Sequence, residues 1–207
     1  MASPYLTLAN PVEHENEVRR SRFICAIAPA GSVEEAVAFI AERRALHAGA
    51  SHNCTAYVIG QRLQKGDDDG EPGGTAGTPM VQALVGRGFN DVVAVVTRYF
   101  GGVLLGAGGL VRAYGSAVTE TLDRVEPVRM VPATLMRVLA DHGQAGRLEN
   151  DLRASPYTVR EVTYGAEVGF AVAVGEERVD GFEDWVATLT AGRAKVIRGE
   201  GIHVREG

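Results

Sequence analysis

The stretch Val92–Leu122, VVAVVTRYFGGVLLGAGGLVRAYGSAVTETL, decides how the rest of the chain is read. Val92 to Thr97 has no polar alternation, so it reads as a strand covered on both faces. Five glycines follow between Gly101 and Gly109, and a helix is expected from about Gly109 to Arg124. Glycine costs backbone entropy, and it recurs where a chain needs positive φ or lets another group approach its backbone. A strand, a glycine turn and a helix N-terminus together make a natural anion site, because unpaired N–H groups and the helix dipole point the same way. The candidate contact residues are therefore Arg98, Tyr99, Phe100, Gly101, Gly102, Gly108, Gly109 and Arg112. Arg112 is expected in the first helical turn, where a cation opposes the dipole and answers some negative charge. The competing reading is that the glycines only let the helix pack closely on the sheet. No P-loop or dinucleotide spacing is present.

A second glycine-rich loop, KGDDDGEPGGTAGTP, lies upstream at residues 65–79. Lys65 and Thr75 add a cation and a hydroxyl to the candidate ligand set. Asp67, Asp69 and Glu71 are the carboxylates that could hold a hard cation, although calcium-loop spacing is absent. Thr78-Pro79 reads as the N-cap and first turn of a short helix ending near Val85. The five histidines show no metal-ligand spacing, and no nucleophile stands out.

Outward from these loops, Val12 to Val18 and Phe23 to Ile27 read as a hairpin. SVEEAVAFIAERRALH is a helix, with Ser32 and Glu35 at capping-box spacing and Val33, Ala36, Val37 and Ile40 on one face. Asn53 to Gly60 is a strand. Cys25 and Cys54 sit in apolar runs and read as buried free thiols. After a closing strand at Val128 to Val131, bracketed by Pro127 and Pro132, the pattern restarts. Residues 133–207 read strand, helix, two strands, helix, strand, the split β-α-β or ferredoxin-like order. Two domains follow, 1–132 and 133–207.

The net charge of −5 argues against electrostatic capture of nucleic acid by the whole surface, so such contact would need a local cluster. No DNA preference is expected. No apolar run approaches the roughly 18 residues that span a membrane, and the chain reads as cytoplasmic.

The strings GDDDGEPGGTAGTP and VVTRYFGGVLLGAGGLVRAYGSAV, with EVRRSRFICAI and SHNCTAYVIG upstream, closely resemble the signature of the YigZ/IMPACT family. The resemblance implies an α+β fold: an N-terminal sandwich like the second domain of ribosomal protein S-five, with a left-handed β-α-β crossover, then a ferredoxin-like domain. That domain order is similar to the fourth and fifth domains of elongation factor G. It implies a non-enzymatic binding protein linked to translation regulation, with RNA, the ribosome or a translation factor as partner and no cofactor. The alternative is a small-molecule enzyme that takes a phosphorylated ligand and a metal between the two glycine loops.

Overall fold

The computed structural model describes residues 3–60 and 62–206. The chain divides into a unit of Tyr5–Arg129 and a second unit that runs from Met130. The first contains β1 (Tyr5–Thr7), β2 (Val12–Val18), β3 (Ser21–Pro29), α1 (Val33–Leu46), β4 (His52–Ile59), β5 (Leu63–Asp67), α2 (Gly77–Gly86), β6 (Val92–Tyr99) and α3 (Ala107–Leu122). Its sheet has the order β2-β3-β6-β4-β5, with every adjacent pair antiparallel.

Both faces of this sheet are covered, which explains the unbroken apolar run of β6. Val92, Ala94 and Val96 join Met80 and Leu84 of α2 and Leu110, Tyr114 and Val118 of α3 in one core. Val93 faces the other way, into a smaller cluster with Ala36, Phe39 and Ile40 of α1. Burying an aliphatic side chain of this size contributes about 1.5–3 kcal/mol, so the sheet is held from both sides. On α1 the expected face is corrected at one position: Val37 is 54% exposed, and Phe39 takes the core place instead. Ser32 caps α1 through Glu35 N–H, while the Glu35 carboxylate accepts from Gly31 N–H rather than from the cap residue itself.

Cys25 and Cys54 are free and buried. Both sit opposite Val96, one on each side of β6. Their Cα atoms are therefore about 10 Å apart, two strand spacings, beyond the roughly 7 Å that a disulfide tolerates. Burial pushes both thiols up to about 12, so they pack as small apolar groups.

The second unit contains β7 (Val128–Ala140), α4 (His142–Ala154), β8 (Thr158–Tyr164), β9 (Val168–Gly175), α5 (Val179–Thr190) and β10 (Lys195–Arg205). The strand order β10-β7-β9-β8 is antiparallel throughout, the ferredoxin-like arrangement. Met136, Val138, Phe170, Val172 and Val174 face α4 and α5, with Leu148, Leu152 and Phe182 opposite. One expectation is revised here. Val128–Val131 and Ala133–Leu139 are a single strand, and Pro132 lies inside it opposite His203.

Candidate functional site

The acidic loop is a fastening, built around Asp68 and Glu71. Asp68 accepts from the backbone N–H groups of Gly74 (2.7 Å), Ala76 (3.0 Å) and Gly77 (2.8 Å). It therefore caps α2 from nine residues away, whereas Thr78 does not: the N-cap position is Ala76, which has no side-chain oxygen. Burial alone pushes the Asp68 carboxyl up, but the three N–H donors outweigh it and hold the group below its usual range. A depressed folded value means the stabilisation is full above the ordinary carboxylate pKa of about 3.9 and disappears as pH falls through the folded value. Asp68→Ala is expected to cost about 2 kcal/mol at pH 7. Urea melts at pH 7 and pH 3 check this: the gap between variant and parent should narrow in acid.

Glu71 turns inward. Its side chain and that of Arg98 are both buried, and they pair at 2.7 Å. The Tyr114 hydroxyl donates to the same Glu71 oxygen at 2.7 Å, and burial pushes its own ionisation far above the usual tyrosine range. Arg98 also lies over the rings of Phe23 (5.5 Å) and Phe100 (5.4 Å), and its Nη2 donates to Ser21 Oγ at 3.4 Å. Arg98 thus ties the acidic loop, the sheet and α3 together and is removed from any surface role. The parity of β6 accounts for this, since Arg98 continues the row of Val92, Ala94 and Val96 facing α2 and α3.

The remaining candidates scatter. Thr75 is buried and donates to Pro72 O. Lys65 lies exposed on β5, at the opposite sheet edge from β2. The Tyr99 hydroxyl meets His47 Nδ1 at 3.0 Å. The carboxylates named for a metal do not converge. Arg44 approaches Asp67 and Asp69 at 3.6 and 3.5 Å, Asp69 accepts from Asn53 N–H, and Glu71 belongs to Arg98. Among the described residues no three His, Cys, Asp or Glu side chains are placed to share an ion.

The glycines separate by purpose. A Cβ on Gly101 would stand 2.0 Å from the carbonyl oxygen of Arg20, and one on Gly77 would stand 2.5 Å from Asp67 N. Those positions serve close packing. Gly106, at φ 70, turns the chain into α3. Gly108 has neither demand: a Cβ there would meet only Arg112 Nη1, at 4.0 Å.

What lies at the surface is the first turn of α3 and what surrounds it. The helix begins at Ala107, two residues before the expected start, so Arg112 sits in its second turn and its guanidinium reaches back over the first. The first helical bond is Leu110 N–H to Gly106 O, and among the described residues no side chain caps the end. The N–H groups of Ala107, Gly108 and Gly109 thus have no intrahelical acceptor. Beside them is the tip of the β2–β3 hairpin, the two-residue turn Arg19-Arg20, with both residues at positive φ (47 and 67). A cavity of about 310 Å³ is lined by Asn16, Val18 and Arg19 on one side and by Gly109, Arg112, Ser116 and Glu120 of α3 on the other. Arg19, Arg20 and Arg112 are exposed and form no ion pair among the described residues. Phe100 and Leu104 stand at the same turn, 48% and 81% exposed.

Arg19 and Arg20 escape a reading based on glycine and cofactor motifs. In the sequence, four residues, Arg19 to Arg22, separate the two strand-like runs, with neither glycine nor asparagine among them, the residues that a tight hairpin turn favours.

Residues 19–122 match the Impact N-terminal domain, and residues 138–193 match a domain of unknown function, DUF1949. The chain belongs to the IMPACT family. IMPACT family member YvyE of Bacillus subtilis is 43% identical over 202 residues, covering 97% of this chain and 93% of the relative. IMPACT family member YigZ of Escherichia coli is 38% identical over 197 residues, covering 93% and 97%. A crystal structure of a hypothetical protein superposes with a TM-score of 0.76 at 36% identity, covering 97% of this chain and 99% of the other. The two-domain α+β architecture is thus that of an IMPACT family protein. Among the described residues no helix is long and apolar enough to cross a membrane.

Proposed function

We propose that this IMPACT family chain is a non-enzymatic, cytoplasmic binding protein in translation regulation. It contacts RNA, the ribosome or a translation factor through the arginine-bearing mouth between the β2–β3 tip and α3. The observation that carries this reading is the convergence of Arg19 and Arg112, neither in an ion pair among the described residues, on a cavity beside the uncapped amides of α3. Cations beside helix-terminal N–H groups favour an anionic partner. The likeness of the domain order to the ribosome-contacting domains of elongation factor G supports translation as the setting. The enzymatic alternative has no comparable support, because the acidic loop is engaged in capping α2 and in holding Arg98 and Arg44.

Sedimentation with ribosomes, with and without Arg19→Ala/Arg112→Ala, tests the reading at two salt concentrations. Association is expected to fall at least five-fold in the double variant. If the partner is single-stranded RNA bound through three phosphates, the logarithmic salt slope should be about −2. No co-sedimentation and no RNA binding, or association untouched by the double variant, would overturn it.

A further inference from the structure

The cavity is elongated along α3. On α3 its wall follows Gly109, Arg112, Ser116 and Glu120, a stripe about 16 Å long at 1.5 Å per residue. On the sheet side its floor is Asn16 and Val18 of β2. This strand is the last in its sheet, and among the described residues no strand pairs with its outer edge.

The register fixes which backbone groups face outward. Val18 pairs with Ser21 across a two-residue loop, so Val18–Ser21, Asn16–Phe23 and His14–Cys25 are the hydrogen-bonded pairs. The N–H and C=O groups of Glu13, Glu15 and Glu17 therefore point to the empty side. The charges that would ordinarily guard such an edge are partly answered within the protein: Glu13 pairs with Arg43, and Glu15 with Arg22. An extended chain laid on this edge would add a sixth strand, with alternate side chains entering the groove against α3.

The charges along the groove are unequal. Arg19 and Arg112 stand at the α3 N-terminal end. The far end carries Glu120, which accepts from Asn16 Nδ2 at 3.1 Å and lies 3.8 Å from His14 Nε2. Asn16 Oδ1 is enclosed beneath the floor and has no donor among the described residues. A nucleic-acid strand running the groove would bring phosphates against Glu120 and could not match the spacing of strand amides. A peptide meets both demands, pairing its backbone with β2 and giving a carboxylate to the arginines.

Resting on the binding reading above, we propose that the β2–α3 groove takes an extended acidic peptide segment of a partner protein by strand addition. One Asp or Glu side chain of that segment lies between Arg19 and Arg112. About five residues fit the length of the groove.

The test begins with selection from a displayed library of random heptapeptides against the full chain, followed by fluorescence polarisation of the selected peptide made synthetically. Enrichment of Asp or Glu at one position is expected. Arg112→Glu should weaken binding at least ten-fold. Methylation of the peptide's alternate backbone nitrogens should weaken it ten-fold in one register and little in the other, a readout that leaves the protein untouched. Glu15→Pro removes an outward N–H and no ladder bond, and it should act like the damaging methylation, with its melting curve confirming the fold. A single-stranded RNA oligonucleotide should not compete. No enriched sequence, equal tolerance of both methylation registers, unchanged affinity of Arg112→Glu, or full displacement by the oligonucleotide would each overturn the proposal. A selected peptide that binds while the chain neither co-sediments with ribosomes nor binds RNA would remove the translation reading and leave the groove assignment standing. Ribosome association with no peptide selected would do the reverse.

Discussion

Replacing Arg98 with alanine is expected to destabilise the Tyr5–Arg129 unit by about 3–5 kcal/mol, the usual cost of stripping one partner from a buried ion pair. The side chain is almost fully enclosed, and its carboxylate partner Glu71 is more enclosed still, at 6% and 3% side-chain exposure. Removing the guanidinium leaves Glu71 with the Tyr114 hydroxyl at 2.7 Å and His52 at 3.9 Å. It also removes the cation packed on the rings of Phe23 and Phe100. Adding Glu71→Gln to Arg98→Ala should recover part of the loss, because a buried amide without partners costs less than a buried carboxylate. Urea denaturation of the single and double variants measures both numbers. A single-variant loss below about 1 kcal/mol, the scale of an exposed pair, would refute the buried-pair account.

Gly101→Ala is expected to cost about 3 kcal/mol or more, the upper range for forcing atoms into occupied space. The obstruction is backbone, since the new methyl would stand 2.0 Å from Arg20 O and 2.1 Å from Arg20 C, and no side-chain rotation relieves it. Gly102→Ala is the control. It lies next door at φ 82 with nothing within 4 Å, so it should lose only the roughly 1–2 kcal/mol of placing an L side chain at positive φ. If the two variants melt alike, the hairpin does not press on Gly101 as the geometry requires. The same contact carries a functional consequence: Gly101 seats the tip that presents Arg19, so Gly101→Ala should weaken partner binding as well as the fold.

Much of the architecture can be read from pattern alone. The unbroken run of β6 announced a sheet covered on both faces, and βαββαβ spacing announced the ferredoxin-like unit, because periodicity is a local property. The candidate site was less legible, and the reasons are specific. Arg98 borders the glycine turn in sequence, yet strand parity turns it into the core. Asp68 looked like the odd member of an acidic triplet, but a cap supplied from nine residues away leaves no capping spacing to read. Thr78-Pro79 matched the local rule for a helix start, and the distant carboxylate overrode it. Arg19 and Arg20 lie within the family string EVRRSRFICAI, yet no local rule marks them as a site; only the packing of the hairpin tip beside α3 does.

The left-handed turn at Arg19-Arg20 has one more consequence. Arginine is a poor occupant of that backbone region, and two in succession fix the direction in which both side chains leave the chain. A tight turn of this kind, braced by Gly101 against Arg20, sets the direction of each Cα–Cβ bond before any partner arrives. The freedom lost on engaging a carboxylate is then that of the side-chain torsions and not of the backbone, so the tip is prepared for association in advance.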